Sequence, residues 1–406
     1  MKASSLTTAV EIPYPQARWF LSPRIGLAAW ILFAVAVSVS VCVSPYSHTN
    51  YPCYESGSRL WWAERNMYDT EQCPLDFRYG PLFAVALTPL TCVPTWLGSL
   101  FWNWLNIGLF LWAARAWARR ILPCAWNAER EAVFLLLMLI ASGRMLWSAQ
   151  ANSLIFAAVA GASIAILDRR WWLAAVLLAA PVHIKVWPLA AALLLIACWP
   201  RQLGWRFAVS LLVLAALPLA TKPPDVVWAR YYDWFTAITG PMLHVRHEYR
   251  DAWTVWEFIQ WPIDPIAYMV MQVSTGMLAL ALCLRQQERE PNSPARLLTF
   301  VMGMWTAWQL VFGPGTERNT FGLIGPLAAW AVVAALADHR GRTWMVVAFT
   351  LVTILARGQI ERALLYKHPL IITAHPIGVM MLACWVVYYF WRKQDSQPGR
   401  VLLQQP

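Results

Sequence analysis

Three phrases in this chain set ionisable and amide side chains inside otherwise apolar sequence. Glu317 and Arg318 follow Gly313-Pro314-Gly315-Thr316, between the apolar runs Leu297–Phe312 and Phe321–Ala337. Lys185, two residues after His183, interrupts a stretch that is apolar from Trp171 to Trp199. Arg144, Gln150 and Asn152 gather after another apolar run. A carboxylate held this way can take a proton from a hydroxyl. Lysine and arginine can neutralise phosphate oxygens, arginine through two parallel hydrogen bonds. Amides can bond sugar hydroxyls. Each phrase also has a plainer reading. Glu317–Arg318 can be a local ion pair capping the next helix, Lys185 a side chain snorkelling from a hairpin, and Arg144, Gln150 and Asn152 a helix cap. His183 alone fits a hydrogen-bonded hairpin histidine better than a ligand.

The elements that must position these groups are helices in lipid. Hydrophobic residues make up 59% of the 406 and charged residues 13%, with a mean hydropathy of +0.47, which excludes an ordinary soluble domain. Twelve apolar spans can be drawn between Ile25 and Trp391, those from Ala132 to Trp199 being short. The expected fold class is therefore an all-α polytopic membrane protein. One transmembrane body covers residues 1–391, and a polar tail expected to be disordered covers 392–406. A net charge of +11 invites a nucleic-acid reading, but the basic residues stand in ones and twos at span ends, so no nucleic-acid partner is expected. The 27 tryptophans suit a membrane interface, and membrane lipid is the expected surrounding.

Only two long polar stretches separate the spans, 44–95 and 221–264. Nineteen of the 32 basic residues fall on the N-terminal side of the membrane, which predicts both termini cytoplasmic and both loops external. The expected location is the cell membrane, multi-pass, with the first span retained as an anchor. Polar chemistry should collect on the external face, because lipid cannot hydrate it. The external acids include Glu361 and, in the second loop, Glu248 and Glu257, among interleaved aromatics and the histidines His244 and His247. No histidine or cysteine spacing suits zinc, so no metal site is expected. Cys53 and Cys73 share the first loop, where a disulfide or two free thiols both fit.

That first loop reads as an amphipathic helix from Asn50 toward Asp69, with Tyr51, Tyr54, Leu60, Trp61 and Trp62 on a side that can lie on the membrane surface. The run Pro81–Val93 is too short to cross. The phrases Tyr54…Asn66-x-Tyr68-Asp69, Phe77-x-Tyr79-x-Pro81-x-Phe83-Ala84 and Pro89-Leu90 resemble the first external loop of glycosyltransferase family 87. Gln150-x-Asn152, Lys185-x-x-Pro188 and Gly313-Pro314-x-Thr316 follow in the order of that family's later phrases.

The resemblance implies a GT-C-like bundle of about eleven to twelve transmembrane helices. It implies transfer of a hexose, mannose in that family, from a polyprenyl-phosphate donor to a glycan or glycolipid acceptor at the external face, with inversion. No cofactor is expected beyond that co-substrate, in agreement with the absence of any nucleotide-binding motif. Aligning on Tyr68 sets Asn50 where the family carries its catalytic acid, and an amide cannot take a proton. Glu317, Arg318, Asn319 and Thr320 stand where the family carries a Trp-x-His-His phrase. The candidate catalytic residues are therefore Glu317, then Glu55, with Asn50 at the displaced position. The candidate substrate contacts are Lys185, Arg318, Arg144, Gln150, Asn152, Tyr54, Tyr68, Tyr79 and His183. A non-catalytic carrier or flippase of lipid-linked sugars is the rival expectation.

Overall fold

A computed structural model describes residues 22–392, apart from 48, 70, 72, 74–75, 240–250, 254–255, 257–262, 314–315, 339–340 and 354–372. The expectations for Glu248, Glu257, Glu361, His244 and His247, for the Pro314-Gly315 turn and for the tail fall outside the described residues. Among the described residues the chain is helical throughout. It runs α1 (Pro23–Val43), α2 (Tyr51–Trp62), α3 (Pro81–Ala86), α4 (Thr88–Thr91), α5 (Thr95–Arg120), α6 (Ala128–Trp147), α7 (Asn152–Leu167) and α8 (Trp171–Val182). Then follow α9 (Leu189–Cys198), α10 (Pro200–Ala216), α11 (Pro224–Thr239), α12 (Pro265–Arg289) and α13 (Pro294–Phe312). After a 3₁₀ turn over Arg318–Ile324 come α14 (Gly325–Asp338), α15 (Arg342–Thr353) and α16 (Ala374–Trp391).

Five helical segments, starting at Pro23, Pro200, Pro265, Arg318 and Ala374, are long and apolar enough to cross a bilayer. Their outward faces carry Leu32, Leu212 and Ile266, each about two-thirds exposed or more. A soluble surface would not tolerate such stripes, and lipid favours them. Starts are fixed locally. Pro23 and Pro265 open helices where a missing N–H costs nothing, and the Asp264 carboxylate accepts from the amides of Ile266 at 2.8 Å and Ala267 at 3.1 Å.

Two features shape the end of the bundle that matters here. First, α7, α8 and α9 have 16, 12 and 10 residues. At helical rise they cover only about 24, 18 and 15 Å of a hydrocarbon layer about 30 Å thick. All three reach the opposite end of the bundle, where Asp168, just past α7, pairs with Arg120 and the Cys198 carbonyl accepts from Gln287. Their shortness therefore leaves a recess at the other end. Pro181 and Pro188 bracket the α8–α9 corner, remove amide donors and stop both helices there.

Second, the first long loop folds down over that recess with a core of its own. Tyr54 is fully buried at its centre, edge-on to Tyr79 at 4.8 Å, Phe83 at 5.2 Å and Trp102 at 5.4 Å between ring centroids. Such pairs contribute about 0.5–1.5 kcal/mol each beyond their buried area. The apolar side of α2 thus faces protein. Tyr51, Tyr54, Leu60 and Trp61 are buried, and only Trp62 of the expected membrane-lying set is exposed. The run Pro81–Val93, expected only to be too short to cross, is broken into α3 and α4. Helix α11, from the second loop, packs on top, with Trp234 Nε1 donating to the Arg78 carbonyl at 3.1 Å.

The loop meets the α8–α9 corner backbone to backbone, through the Gly80 amide and the Ile184 carbonyl at 3.4 Å. A Cβ at Gly80 would sit 2.3 Å from the His183 carbonyl oxygen, so only glycine permits this approach. Gly80→Ala is expected to cost about 1–3 kcal/mol, read as a lower thermal midpoint of the detergent-solubilised protein. An unchanged midpoint would show that the two backbones are not in contact.

Candidate active site

Five separate segments place side chains in the recess. The α8–α9 corner supplies Lys185, and the start of α7 supplies Asn152. Gln150 stands between α6 and α7, after Ala149, which is fully buried at φ 53°. A left-handed alanine is uncommon. It is fixed here by Trp102, whose Nε1 donates to the Ala149 carbonyl at 2.8 Å. The 3₁₀ turn after α13 brings Glu317, and the first loop brings Asn50, Tyr54 and Tyr79.

These groups form one chain of contacts. Lys185 Nζ donates to Asn152 Oδ1 at 3.3 Å. Asn152 Nδ2 donates to Gln150 Oε1 at 2.7 Å and to Thr320 Oγ1 at 3.2 Å. Gln150 Nε2 donates to Glu317 Oε2 at 2.7 Å. Two amides therefore bridge an ammonium and a carboxylate, with every donor facing an acceptor. The ammonium also lies 5.2 Å from the centre of the Tyr79 ring, a cation–π distance. Burial lowers the Lys185 pKa, and the negative charge of Glu317 acts in the opposite direction. The Tyr79 and Tyr54 hydroxyls are 3.1 Å apart, and the Ala151 amide donates to Tyr54 at 3.1 Å. Burial raises both phenols above their ordinary range, so they are neutral hydrogen-bonding groups.

A groove of about 900 Å³ opens beside this chain, lined by residues of α1, α6, α15 and the 3₁₀ turn. Its polar end holds Asn50, Arg144, Arg318 and Asn319, with Arg144 Nε donating to Asn319 Oδ1 at 2.7 Å. Its apolar walls include Phe33, Leu139, Ile140 and Val352 from the flanking helices. Asn50 joins the two regions. It lines the groove, its amide N–H donates to the Ser148 carbonyl at 2.9 Å, and its carbonyl accepts from the Tyr54 amide at 3.3 Å.

The family model of glycosyltransferase family 87 matches residues 77–314, more than half of the 406. The chain belongs to glycosyltransferase family 87. No curated protein matches it. The matched span of this glycosyltransferase contains Tyr79, Arg144, Gln150, Asn152 and Lys185, while Asn50, Tyr54 and Glu317 lie outside it. The recess nevertheless gathers seven of these, and Arg144 lines the groove beside it.

The remaining expected residues stand elsewhere. Glu55 lies on another side of α2. It accepts from Arg59 Nη2 at 2.6 Å and from Thr95 Oγ1 at 3.0 Å, which ties α2 to the start of α5. Tyr68 donates its hydroxyl to the Tyr79 carbonyl at 2.8 Å and so supports the loop that carries Tyr79. His183 Nε2 meets the Leu211 carbonyl at 3.1 Å, which pins the α8–α9 corner to α10. Cys53 and Cys73 are both free thiols. Among the described residues no cluster of His, Cys, Asp or Glu could hold a metal ion. Thr320 and Asn319 also belong to this site, although neither is among the sequence candidates. The signal for them was present, since both are polar residues two and three places after Glu317 on one helical turn.

The bridged pair makes a measurable prediction. Amine labelling of Lys185, followed by peptide mass spectrometry across pH, is expected to show a midpoint below that of an ordinary lysine. Glu317→Gln should move that midpoint lower still, because the carboxylate is what offsets the desolvated ammonium. A midpoint indifferent to Glu317→Gln would mean that the two groups are not coupled.

Proposed function

We propose that this glycosyltransferase moves a hexose, mannose by family resemblance, from a polyprenyl-phosphate donor to a hydroxyl of a glycan or glycolipid. The recess is read as opening to the external face of the cell membrane. The single observation that supports this reading best is the composition of the groove. A guanidinium pair, Arg144 and Arg318, stands at one end, with Glu317 directly preceding Arg318 in the chain, and apolar helix faces continue from it into the membrane zone. A prenyl chain suits those walls, and a phosphate at its head suits Arg144 and Arg318.

On this reading Glu317 is the general base. Gln150 occupies Oε2, which leaves Oε1 to face an acceptor. The acceptor oxygen gives its proton to Glu317 and forms a bond to the anomeric carbon. The bond from that carbon to the phosphate oxygen breaks, and the electron pair leaves with polyprenyl phosphate. A single displacement inverts the anomeric centre. Positive charge from Arg144, Arg318 and Lys185 stabilises the departing phosphate. Glu317 outranks Glu55 because Glu55 is occupied by Arg59 and Thr95. It outranks Asn50 because an amide has no basic lone pair to offer.

The test is transfer from purified polyprenyl-phosphate mannose to membrane acceptors by the reconstituted protein. Glu317→Gln is expected to lower turnover at least about a hundredfold with donor binding retained. Arg144→Gln together with Arg318→Gln is expected to weaken donor binding. Near-normal turnover in Glu317→Gln would remove this residue from the chemistry. Movement of labelled lipid across vesicles without any transfer would favour the carrier reading instead.

A further inference from the structure

The opposite end of the bundle carries a second groove, of about 400 Å³, between α1 and α5. Gly108, Leu111, Trp112, Arg115 and Arg119 form its α5 side, and Leu27 of α1 faces them. Their spacing of three and four residues puts them on one stripe of α5. Helix α5 begins at the site end, where Thr95 bonds Glu55. Arg115 lies twenty residues further on, about 30 Å along the axis, close to the about 30 Å of a hydrocarbon core. The two arginines therefore mark the far membrane boundary, while Gly108 and Leu111 lie inside the apolar layer. Trp112, 66% exposed, suits the level between them.

The charges at this boundary do not cancel. Arg115 Nε donates to Glu131 Oε1 at 2.5 Å, and Arg119 Nη2 donates to both Glu131 oxygens at 2.9 and 2.7 Å. Two guanidinium groups share one carboxylate, so the trio keeps a single positive charge. The neighbouring Arg120 is neutralised by Asp168. Arg115 engages Glu131 through Nε alone, so the same guanidinium has terminal N–H donors to offer a second anion. The Arg115 and Arg119 side chains are 32% and 51% exposed. Beneath them the stripe has a notch. A Cβ built on Gly108 would meet nothing within 4 Å.

We propose that this groove binds an anionic phospholipid of the leaflet opposite the active site. Its phosphodiester rests on Arg115 and Arg119, and one acyl chain lies over Gly108 between Leu27 and Leu111. The net positive charge selects an anionic headgroup over a zwitterionic one, which would bring its own ammonium to the same cations.

The test is native mass spectrometry of the full-length protein, titrated with phosphatidylglycerol and with phosphatidylcholine of identical acyl chains. Phosphatidylglycerol is expected to be retained about fivefold better, which is what roughly 1 kcal/mol from the trio's single net positive charge amounts to. Gly108→Trp fills the notch and leaves Arg115, Arg119 and Glu131 in place. It should remove most of the bound phosphatidylglycerol while glycosyl transfer in detergent stays unchanged. Replacing the two arginines alone would strand Glu131, so the charge arm is the triple variant R115Q/R119Q/E131Q, expected to retain both lipids equally. Equal retention of the two lipids by the unaltered protein would overturn the proposal. So would phosphatidylglycerol retention that survives both variants.

Discussion

An ammonium shut away from water must be given partners by the protein, and the site end of this bundle is arranged around that demand at Lys185. Its partners come from different parts of the chain. The Asn152 carboxamide opens α7, the Tyr79 ring hangs from the first loop, and the Glu317 charge arrives through Gln150 from a turn 132 residues away in sequence. Charge-assisted hydrogen bonds of this kind contribute about 1.5–3 kcal/mol each. The loss of one partner costs more than its bond, because the ion left behind is still desolvated. Lys185 therefore acts as a common anchor for segments that would otherwise be free to shift against one another.

The same constraint explains the recess. A polar chain of this kind cannot lie at mid-membrane against lipid, yet on the proposed reading a donor held in the bilayer has to meet it near that level. Short α7, α8 and α9 reconcile the two demands. They lower the floor of the site below the rim, and the first loop, with its own aromatic core, covers it from above. The cover is held by a backbone approach at Gly80 and by Trp102, which belongs to α5 and fixes both Tyr54 and the Ala149 corner. Positioning and enclosure are thus achieved by the same few aromatic residues.

Much of this was legible as interruptions of apolar sequence. Lys185, Gln150 and Asn152 stood out because polar groups are costly in such runs, and the cost forces them toward one another. The helices follow the expected spans closely, since hydropathy reports helices in lipid directly. The face of α2 was legible too, but its covering was not. An apolar stripe packs equally well on lipid or on protein, and nothing local to residues 51–62 distinguishes them. Glu55 was misleading for a related reason. Its closeness to Asn50 in sequence says nothing of Thr95, forty residues away, which claims its carboxylate. The Gln150–Glu317 bond, between residues 167 apart, has no local signature at all.

Asn50 poses the sharpest chemical question, and geometry bears on it. A general base must reach the acceptor hydroxyl from the side opposite the departing phosphate, and nothing ties that duty to one particular loop. Asn50 lines the groove together with Arg318 and Asn319, and Glu317 immediately precedes that pair at the start of the 3₁₀ turn. On the proposed reading, the amide at position 50 keeps the shape of the acid that the family resemblance implies there, but it removes a negative charge from beside the phosphate end of the groove. Glu317 supplies one negative charge on the proposed reading, and Gln150 hydrogen-bonds it and carries the chain of contacts on to Lys185. A second carboxylate at Asn50 would add repulsion against both Glu317 and an anionic donor. On the proposed reading the substitution is thus one half of a relocation, and a base at Glu317 is the half that makes an amide at position 50 tolerable.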